Sequence, residues 1–326
     1  MPTTYSILSE RNEPSFNLAV EEYLLRNKSD DFQFFYINTP SVIIGKHQNA
    51  LAEINLPYLE KNNIPLYRRL SGGGTVFHDK GNINFCFIKN GEQSNLVDFK
   101  KATEPIVNVL NAWGIPVRNG ERNDLLVDYK KISGNACHVF KRRVMHHGTL
   151  LFDADLEALT DCLKNDPLKF KDKAVKSVRS EVVNLKPLIL QNWDAQKFLE
   201  QLVGAMKQER PELVSYSFTK EDLHHIHELQ SSKYDQNDWN YRYGPSYEFN
   251  KRSRLAGYVF ALSMKVEKGK MTEISLKTNH PEKDLNIHIN RLLHMKYHDK
   301  QEILNSLSEI RGKLDLSERS LLSLFF

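Results

Sequence analysis

The sequence has few cysteines and no long apolar run. Its 326 residues include three cysteines, Cys86, Cys137 and Cys162, and none of them forms a CxxC pair. We therefore expect neither a disulfide framework nor a structural zinc site. Because no apolar stretch is long enough to cross a bilayer, we expect no membrane span. The N-terminal segment also lacks a basic region followed by an apolar one, so we expect no signal peptide and a cytoplasmic protein.

An excess of one charge is also missing. Lys and Arg number 45 against 41 Asp and Glu, which gives a net charge of +4 and a pI of about 8.7. This balance suits an anionic substrate or an acidic protein partner. It falls short of a nucleic-acid-binding surface, and the basic residues are scattered without interleaved aromatics, so we expect no nucleic-acid ligand.

Helix and strand patterns alternate through most of the chain, whose length suggests one large domain and one smaller domain. Amphipathic helices are predicted at residues 14–28, with Ser15 as the N-cap, and at 100–113. The β-rich runs around them indicate one sheet. After about residue 238 the pattern changes to two strands joined by a Lys-Gly turn, followed by two helices. We place a boundary near Gly244, which divides the chain into domains 1–243 and 244–326.

The segment RRLSGGGTVFHDKGNINFCF, which starts at Arg68, contains three consecutive glycines between β-type residues. In a Walker or dinucleotide loop the glycines join a strand to a helix, whereas here a second strand pattern follows, so neither fingerprint is present. A bare backbone beside arginine offers N–H donors and charge to an anion. A glycine-rich bulge that only bends a sheet explains the glycines equally well.

A second group of polar residues follows downstream. Lys131 precedes a β-rich run, and His146 and His147 precede a glycine. Taken alone, such a lysine is a solvated edge residue, and adjacent histidines more often lie on the surface or pack in a core than bind a ligand. The lysine-rich segment 169–176 likewise looks like a solvated charged loop.

Together these segments resemble the lipoate-protein ligase A and lipoyltransferase family, which is related in fold to biotin-protein ligases. The resemblance rests on the glycine segment above and on VIIGKHQN, NDLLVDYKKISGNA, HHGTLLFDADL and KSVRSEVVNL, which occur in the family's order. It implies an α+β fold. A large mixed-sheet catalytic domain of the biotin/lipoate ligase type would be followed by a small C-terminal α/β accessory domain.

The resemblance implies an enzyme that converts lipoate and ATP to lipoyl-AMP, with Mg²⁺ expected, and then transfers the lipoyl group to a lysine. The acceptors would be lipoyl domains of 2-oxoacid dehydrogenase complexes or the glycine-cleavage H protein, and we expect a monomeric enzyme. Holding two anions together needs positive charge and backbone donors. Lys131 is the implied catalytic residue, because a compact charge on a flexible stem can stabilise the carbonyl oxygen in both steps.

The resemblance also implies the residues of the site. The segment at 169–176 would belong to a loop that orders on nucleotide binding, and Asp124 would orient Lys131. Tyr36, Val42 and Ile44 would line the acyl tail, although apolar residues of this kind equally fit a core. Some family members have tryptophan in place of Tyr36, which leaves the choice between lipoate and octanoate open. The residues implied for ATP and lipoyl-adenylate are Arg69, Ser71, Gly72, Gly73, Gly74, Thr75, Val76, Phe77, His78, Asn82, Asp124, Lys131 and His147.

Other functions remain open on the sequence. A lipoyl- or octanoyltransferase could carry the acyl group on Cys86 or Cys137, although Cys86 lies in an apolar strand that favours an inert thiol. A transferase that accepts a preformed acyl-adenylate would keep the same motifs. A noncatalytic binding module would be expected to lose the lysine or the glycines, and both are present.

Overall fold

The computed structural model describes residues 3–91, 97–164, 166, 169–282, 284–314 and 316–326. Helices and strands alternate along most of the chain, as the α+β prediction requires. The strands are β1 (Thr4–Leu8), β2 (Asp31–Ile37), β3 (Ser41–Ile44), β4 (Leu66–Arg68), β5 (Val76–His78), β6 (Asn82–Asn90), β7 (Arg118–Asn119), β8 (Leu125–Val127), β9 (Lys130–Ser133), β10 (Asn135–Phe140), β11 (Arg143–Leu151), β12 (Phe170–Asp172), β13 (Val214–Ser215), β14 (Tyr247–Leu255), β15 (Tyr258–Glu267) and β16 (Lys270–Thr278).

The helices are α1 (Pro14–Asn27), α2 (Ala50–Glu53), α3 (Leu56–Lys61), α4 (Phe99–Ala112), α5 (Leu156–Cys162), α6 (Ala195–Glu209), α7 (Lys220–Leu229), α8 (Leu285–Leu293), α9 (Lys300–Ser306), α10 (Ser308–Leu314) and α11 (Glu318–Leu322). A 3₁₀ turn forms at Lys186–Leu188, and π-helical turns form at Gln230–Tyr234 and Asp238–Arg242. No helix in the described ranges is both long and apolar enough to cross a membrane.

A six-stranded mixed sheet, in the order β10-β11-β6-β2-β1-β13, is the centre of the larger part of the fold. Because neighbouring residues of a strand point to opposite faces, β2 sends Phe35 to one face and Phe34 and Tyr36 to the other. Helices α4 and α6 pack on the Phe35 face, while α1 and α7 pack on the Tyr36 face. The candidate site lies on the Tyr36 face.

The prediction of one sheet in this part was wrong. Strands β4-β3-β5 and β7-β8-β9 form two further three-stranded sheets. The turn after β5 leads the chain out of one sheet and into another, because the Gly81 carbonyl accepts hydrogen bonds from the amides of Phe152 and Asp153 beyond the end of β11. β5 therefore pairs with β3, while β6 pairs with β2 and β11.

Helix α1 was predicted closely except for its N-cap. Its N-cap is Glu13 and its first residue is Pro14, a position that proline favours because its φ is already helical and no N–H is lost. The prediction of Ser15 as the N-cap was therefore wrong. The Ser15 hydroxyl instead accepts a hydrogen bond from Gln230 Nε2 at 3.0 Å, and it joins α1 to the segment after α7.

The C-terminal part is built on the antiparallel strands β14, β15 and β16, against which α8 to α11 pack. The predicted Lys-Gly turn is confirmed, with positive φ at Lys268 and Gly269. The predicted second helix is divided into α9 and α10 at Leu307. Strand β12 pairs with β14 and contributes Phe170 to this core, so the sheet includes a segment from well before residue 244. The boundary itself stays a prediction.

Candidate active site

A cavity of about 280 Å³ lies on the Tyr36 face of the large sheet, between α1, the glycine segment 71–75, strand β9 and the segment 175–180. We call the last of these the strap. Several of the residues implied by the resemblance, although distant in sequence, meet in the wall of this cavity. They are Tyr36, Arg69, Gly73, Gly74, Thr75, Val76, His78, Asp124, Lys131 and His147.

Other residues implied for the site lie outside the wall. Val42, Ile44 and Phe77 pack in a separate apolar cluster on the far side of the β4-β3-β5 sheet. Because side chains alternate along a strand, Ile43 faces the cavity in place of its two neighbours, so the structure contradicts a lining role for Val42 and Ile44. Three further implied residues are not part of the lining, namely Ser71 and Asn82, which are buried, and Gly72, which is half-buried.

Arg69 holds the glycine segment in shape. Its guanidinium donates to the carbonyls of Gly72 and Gly74 at 2.6 and 2.7 Å, to the Ile43 carbonyl at 3.1 Å and to Ser71 Oγ at 3.0 Å. Gly73 has φ of 85°, a conformation that favours glycine. The carbonyls thus turn toward Arg69, whereas the amides of the three glycines make no hydrogen bond with the described chain. These amides are available to an anion.

Arg68 serves the fold. It is fully buried and donates to the carbonyls of Gly45, Lys46 and Gln48 on one side and of Trp239 and Asn240 on the other. Burial lowers its pKa to about 9 and that of Arg69 to about 10, so both stay cationic at neutral pH. The two arginines at the start of the glycine segment therefore use most of their N–H donors to hydrogen-bond backbone carbonyls.

A chain of buried hydrogen bonds joins the glycine segment to α1. Ser71 Oγ lies 2.6 Å from His147 Nε2, and His147 Nδ1 lies 2.8 Å from Glu21 Oε2. The other oxygen of Glu21 accepts from the Tyr36 hydroxyl at 2.9 Å. Since Ser71 Oγ also accepts from Arg69, its own proton is free to be donated to His147 Nε2. His147 then donates from Nδ1 to the carboxylate.

His78 presents a donor to the cavity. Asn17 Nδ2 donates to Asn38 Oδ1, which leaves Asn38 Nδ2 facing His78 Nδ1 at 3.0 Å. Burial, with the charges of Arg69 and His147, lowers the pKa of His78 to about 3, so the ring is neutral. Its proton therefore resides on Nε2, which is buried and has no partner in the described chain. An unpaired buried donor of this kind calls for a ligand oxygen.

Lys131 reaches the cavity from β9. Its backbone is held by Glu181 and Val183, which sit beside it as a short parallel bridge. A Cβ at Gly134 would lie 3.2 Å from both Cε and Nζ of Lys131, so glycine leaves the room that the lysine occupies. Burial lowers the pKa of Lys131, while the charge of Asp124 raises it. The ammonium makes no ion pair or hydrogen bond with the described residues, Asp124 included.

The strap is fastened over the glycine segment through Ser177. The Ser177 hydroxyl bonds the Glu53 carboxylate, and it accepts from the Thr75 amide at 2.9 Å and from Gln48 Nε2 at 3.1 Å. The Ser177 amide also donates to Glu53 at 3.3 Å. Burial raises the pKa of Glu53. The strap therefore closes one side of the cavity through a polar cluster in which each donor has an acceptor.

The cysteines do not take part in this arrangement. Cys86 is buried within β6, and burial together with the Glu21 charge raises its thiol pKa well above the ordinary range. Burial also raises the pKa of Cys137, on the edge strand β10. Neither lines the cavity. Because the thiolate is the nucleophile, these environments disfavour thioester chemistry at either residue.

Glu21, Asn17 and Ser177 are among the residues of the site that were missed from the sequence. Glu21 and Asn17 lie four positions apart in the most buried helix of the fold, and polar residues one turn apart on a buried face were an available signal. Ser177 gave no such signal. Its position depends on Glu53, which lies more than a hundred residues earlier in the chain.

Comparisons with known proteins agree with this geometry. Residues 13–207 match the family described as the lipoyl protein ligase A/B catalytic domain. The lipoate-protein ligase LplJ of Bacillus subtilis is 37% identical over 269 residues, which cover 81% of each chain. A lipoate-protein ligase A structure bound with ATP is 26% identical, with a TM-score of 0.62, over 73% of this chain and 98% of that one.

A second solved structure comes from Thermoplasma acidophilum and is described as a bipartite lipoate protein ligase and its E2 lipoyl domain. It is 26% identical, with a TM-score of 0.64, over 74% of this chain and 97% of that chain. The fold predicted from the resemblance, a mixed-sheet domain of the biotin/lipoate ligase type, is confirmed by these likenesses.

Proposed function

The chain belongs to the lipoyl protein ligase A/B family, and we propose that it attaches lipoate to protein lysines in two ATP-dependent steps. In the first, a carboxylate oxygen of lipoate attacks the α-phosphorus of ATP and pyrophosphate leaves. In the second, the neutral amine of an acceptor lysine attacks the acyl carbon of lipoyl-AMP. An amide forms, AMP leaves, and the amine proton passes to solvent.

One observation carries the proposal, namely the convergence of unpaired donors on one cavity. The Lys131 ammonium, the amides of Gly73 and Gly74 and the Nε2–H of His78 line it without acceptors in the described chain. The His78 donor is buried, and an unpaired buried donor is costly. With the more exposed ammonium and amides beside it, the cavity favours a ligand rich in oxygens and negative charge. An acyl-adenylate, with a carbonyl, a phosphate and a ribose, has that character.

Lys131 is assigned the central role. Its ammonium has no competing partner, and it can follow the acyl oxygen as negative charge develops on it in both steps. The glycine amides would bind the phosphate, and His78 would donate to a further ligand oxygen. Arg69 would act mainly by fixing the glycine carbonyls, while Tyr36 and Ile43 would contact the acyl group.

Magnesium fits this site as a companion of the nucleotide. Among the described residues no group of three or more His, Cys, Asp or Glu side chains could hold a metal ion. Asp124 supplies a carboxylate in the wall, and Mg²⁺ is commonly bound by one or two carboxylates together with substrate phosphates. When bound, the metal would neutralise phosphate charge.

The acceptors we propose are lipoyl domains of 2-oxoacid dehydrogenase acyltransferase subunits and the glycine-cleavage H protein. Residues 1–243 would perform both steps, and residues 244–326 would form the accessory domain. A monomeric state and a cytoplasmic location stay predictions of the sequence.

Lipoate-dependent pyrophosphate release from ATP tests the proposal, with Mg²⁺ present and no acceptor. Lys131→Ala should lower this rate by about a hundredfold or more, a magnitude seen when one transition-state donor is removed. Lys130→Ala is the matched control, since the neighbouring lysine pairs with Glu181 at 2.8 Å and is exposed. It should change the rate less than twofold.

An intact-mass shift of an apo lipoyl domain would then report the transfer step. If the wild-type protein releases no lipoate-dependent pyrophosphate but modifies the domain from supplied lipoyl-AMP or octanoyl-AMP, the ligase proposal is wrong and the protein is a transferase. If Lys131→Ala keeps its activity, the role of Lys131 is wrong and the ligase assignment stands. Cys86→Ser and Cys137→Ser should both remain active.

A further inference from the structure

A second concave surface lies beside the cavity, at the junction between the large domain and the C-terminal part. It is an open cleft of about 670 Å³ whose wall comes from five separate segments of the chain. We call it the basic cleft. Its residues are Lys46, His47, Lys173, Asp238, Arg242, Tyr243, Gly244, Pro245, Lys268 and Tyr297.

The positive charge of the basic cleft is largely unneutralised. Asp238 is the carboxylate of its wall, and it pairs with Arg242 at 2.6 Å. Lys46, Lys173 and Lys268 make no ion pair within the described chain, and Lys173 and Lys268 are exposed. Because like charges without counter-ions repel one another, such a group is unfavourable in isolation and creates a positive field over the surface. That field attracts an acidic partner.

The basic cleft is continuous with the rim of the cavity. Lys173 lies two residues before Val175, a strap residue that lines the cavity. The Val175 amide donates to the His47 carbonyl at 3.2 Å. The Lys46 amide donates to the Ser71 carbonyl at 2.8 Å, at the start of the glycine segment. A molecule seated in the cleft would therefore border the opening over Lys131.

The shape of the charge distribution favours a protein over a small anion. A phosphate is usually held by donors that converge on one point, such as backbone amides or a bidentate arginine. Here the lysines stand on different segments of a wide cleft that also exposes Tyr243, and Val175 and Val178 of the adjoining strap are exposed apolar residues. Spread charge beside exposed aromatic and aliphatic groups is the composition of a protein interface.

We propose that the basic cleft docks the acceptor domain through an acidic surface next to the lysine to be modified. The inference rests on the proposed function, because that reaction requires a protein to bring a lysine amine to the cavity. Docking in the cleft would hold the acceptor at the strap side of the opening. The lysine side chain would then enter past Val175 and Val178 toward the acyl carbon.

The test separates the two steps of the reaction in the full-length enzyme. The variant is Lys46→Glu/Lys268→Glu, which leaves out Lys173 because that lysine lies in the segment expected to order on nucleotide binding. Its matched control is Lys220→Glu/Lys277→Glu, which changes the same net charge at exposed lysines outside the cavity and the cleft. Adenylation is measured as lipoate-dependent ATP–pyrophosphate exchange without acceptor. Transfer is measured with lipoyl-AMP supplied and an apo lipoyl domain as the varied substrate.

We expect the cleft variant to raise the acceptor KM by about tenfold or more, since each reversal replaces an attraction with a repulsion at the edge of an interface. Its ATP exchange should stay within twofold of wild type, and the control should match wild type in both assays. Raising the salt concentration should weaken wild-type transfer and should affect the cleft variant less.

Two results would overturn the docking proposal. One is an unchanged acceptor KM in the cleft variant. The other is a raised ATP KM with normal transfer from lipoyl-AMP, which would assign the cleft to the nucleotide phosphates. Loss of wild-type pyrophosphate exchange would instead contradict the proposed function. A lipoyl domain with acidic surface residues changed to lysine should be a poor substrate for wild type and a better one for the cleft variant.

Discussion

Changing Glu21 should affect both the stability of the fold and the adenylation step, whereas changing its neighbour Glu22 should affect stability alone. Both side chains lie on α1, both are buried, and each accepts a hydrogen bond from a buried tyrosine hydroxyl. Glu21 bonds Tyr36 and His147 in the cavity wall. Glu22 bonds Tyr234 and pairs with Lys233 away from the cavity. Comparing variants at these two positions therefore separates a local effect on the site from a general loss of packing.

The size of the stability effect follows from the bonds. A hydrogen bond to a charged group contributes about 1.5–3 kcal/mol, so Glu21→Ala, which loses two, should lower the free energy of unfolding by about 3–6 kcal/mol. Glu21→Gln keeps the shape and one acceptor, and should cost roughly 1–2 kcal/mol. Glu22→Gln should cost a similar amount, because it loses its charged pairing with Lys233 and Arg26.

The effect on the reaction follows from the direction of the hydrogen bonds. With glutamine at position 21, the side-chain oxygen can accept from His147 only while the His147 proton is on Nδ1. If the side-chain NH₂ group faces Nδ1 instead, the His147 proton moves to Nε2. In that tautomer His147 donates to Ser71, whose own proton then loses its acceptor and has to turn to the Gly72 carbonyl, 3.5 Å away and already bonded by Arg69. The glycine segment that Arg69 holds should loosen. We expect about a tenfold loss in kcat/KM for ATP, equivalent to about 1.4 kcal/mol.

Urea unfolding gives the stability of each variant, and pyrophosphate exchange at a temperature where all are folded gives the rate. The ¹⁵N chemical shifts of His147 report its tautomer directly. The reasoning is refuted if Glu21→Gln exchanges pyrophosphate as wild type does, or if Glu22→Gln loses the same activity at equal stability. A tautomer of His147 with its proton on Nε2 in the wild-type protein would also contradict the hydrogen-bond chain.

Two further predictions concern Lys131 and the strap. Burial lowers the pKa of Lys131, so its ammonium is lost as pH rises through a value below 10.5, and wild-type pyrophosphate exchange should fall over that range. Lys131→Arg should exchange pyrophosphate more slowly but should keep this activity to higher pH. If the exchange rates of both proteins fall over the same alkaline pH range, the role assigned to the Lys131 charge is wrong. Ser177→Ala leaves Glu53, Gln48 and the Thr75 amide without their shared partner, at a cost of roughly 1–3 kcal/mol. Amide hydrogen exchange of residues 175–180 should be faster in Ser177→Ala than in Ser180→Ala, the control, because the exposed Ser180 hydroxyl bonds no described residue. Equal exchange in both variants would show that Ser177 does not hold the strap.

The sequence allowed several helices and strands to be predicted, because their patterns are local, although no prediction covered α7. Strand β2 and helix α1 follow directly from periodicity and β-rich composition. The number of sheets did not follow, since the partner of β5 depends on where the Gly81 turn packs against the end of β11. The prediction of which residues line the cavity failed for a related reason. A strand pattern shows that Val42 and Ile44 share a face, but not which face meets the ligand.

The charges visible in the sequence differ from the charges available to a ligand. Arg68 and Arg69 are the most conspicuous cations of the glycine segment, yet the structure commits most of their donors to backbone carbonyls. A buried arginine with satisfied donors costs less to desolvate, and it fixes the groups it binds. The carbonyls held in this way leave the glycine amides without a partner in the described chain, and the Lys131 ammonium, in the same cavity wall, also has none. We therefore expect the ligand to be met by the groups that lack a partner, and Arg69 to act by fixing the segment that carries the glycine amides.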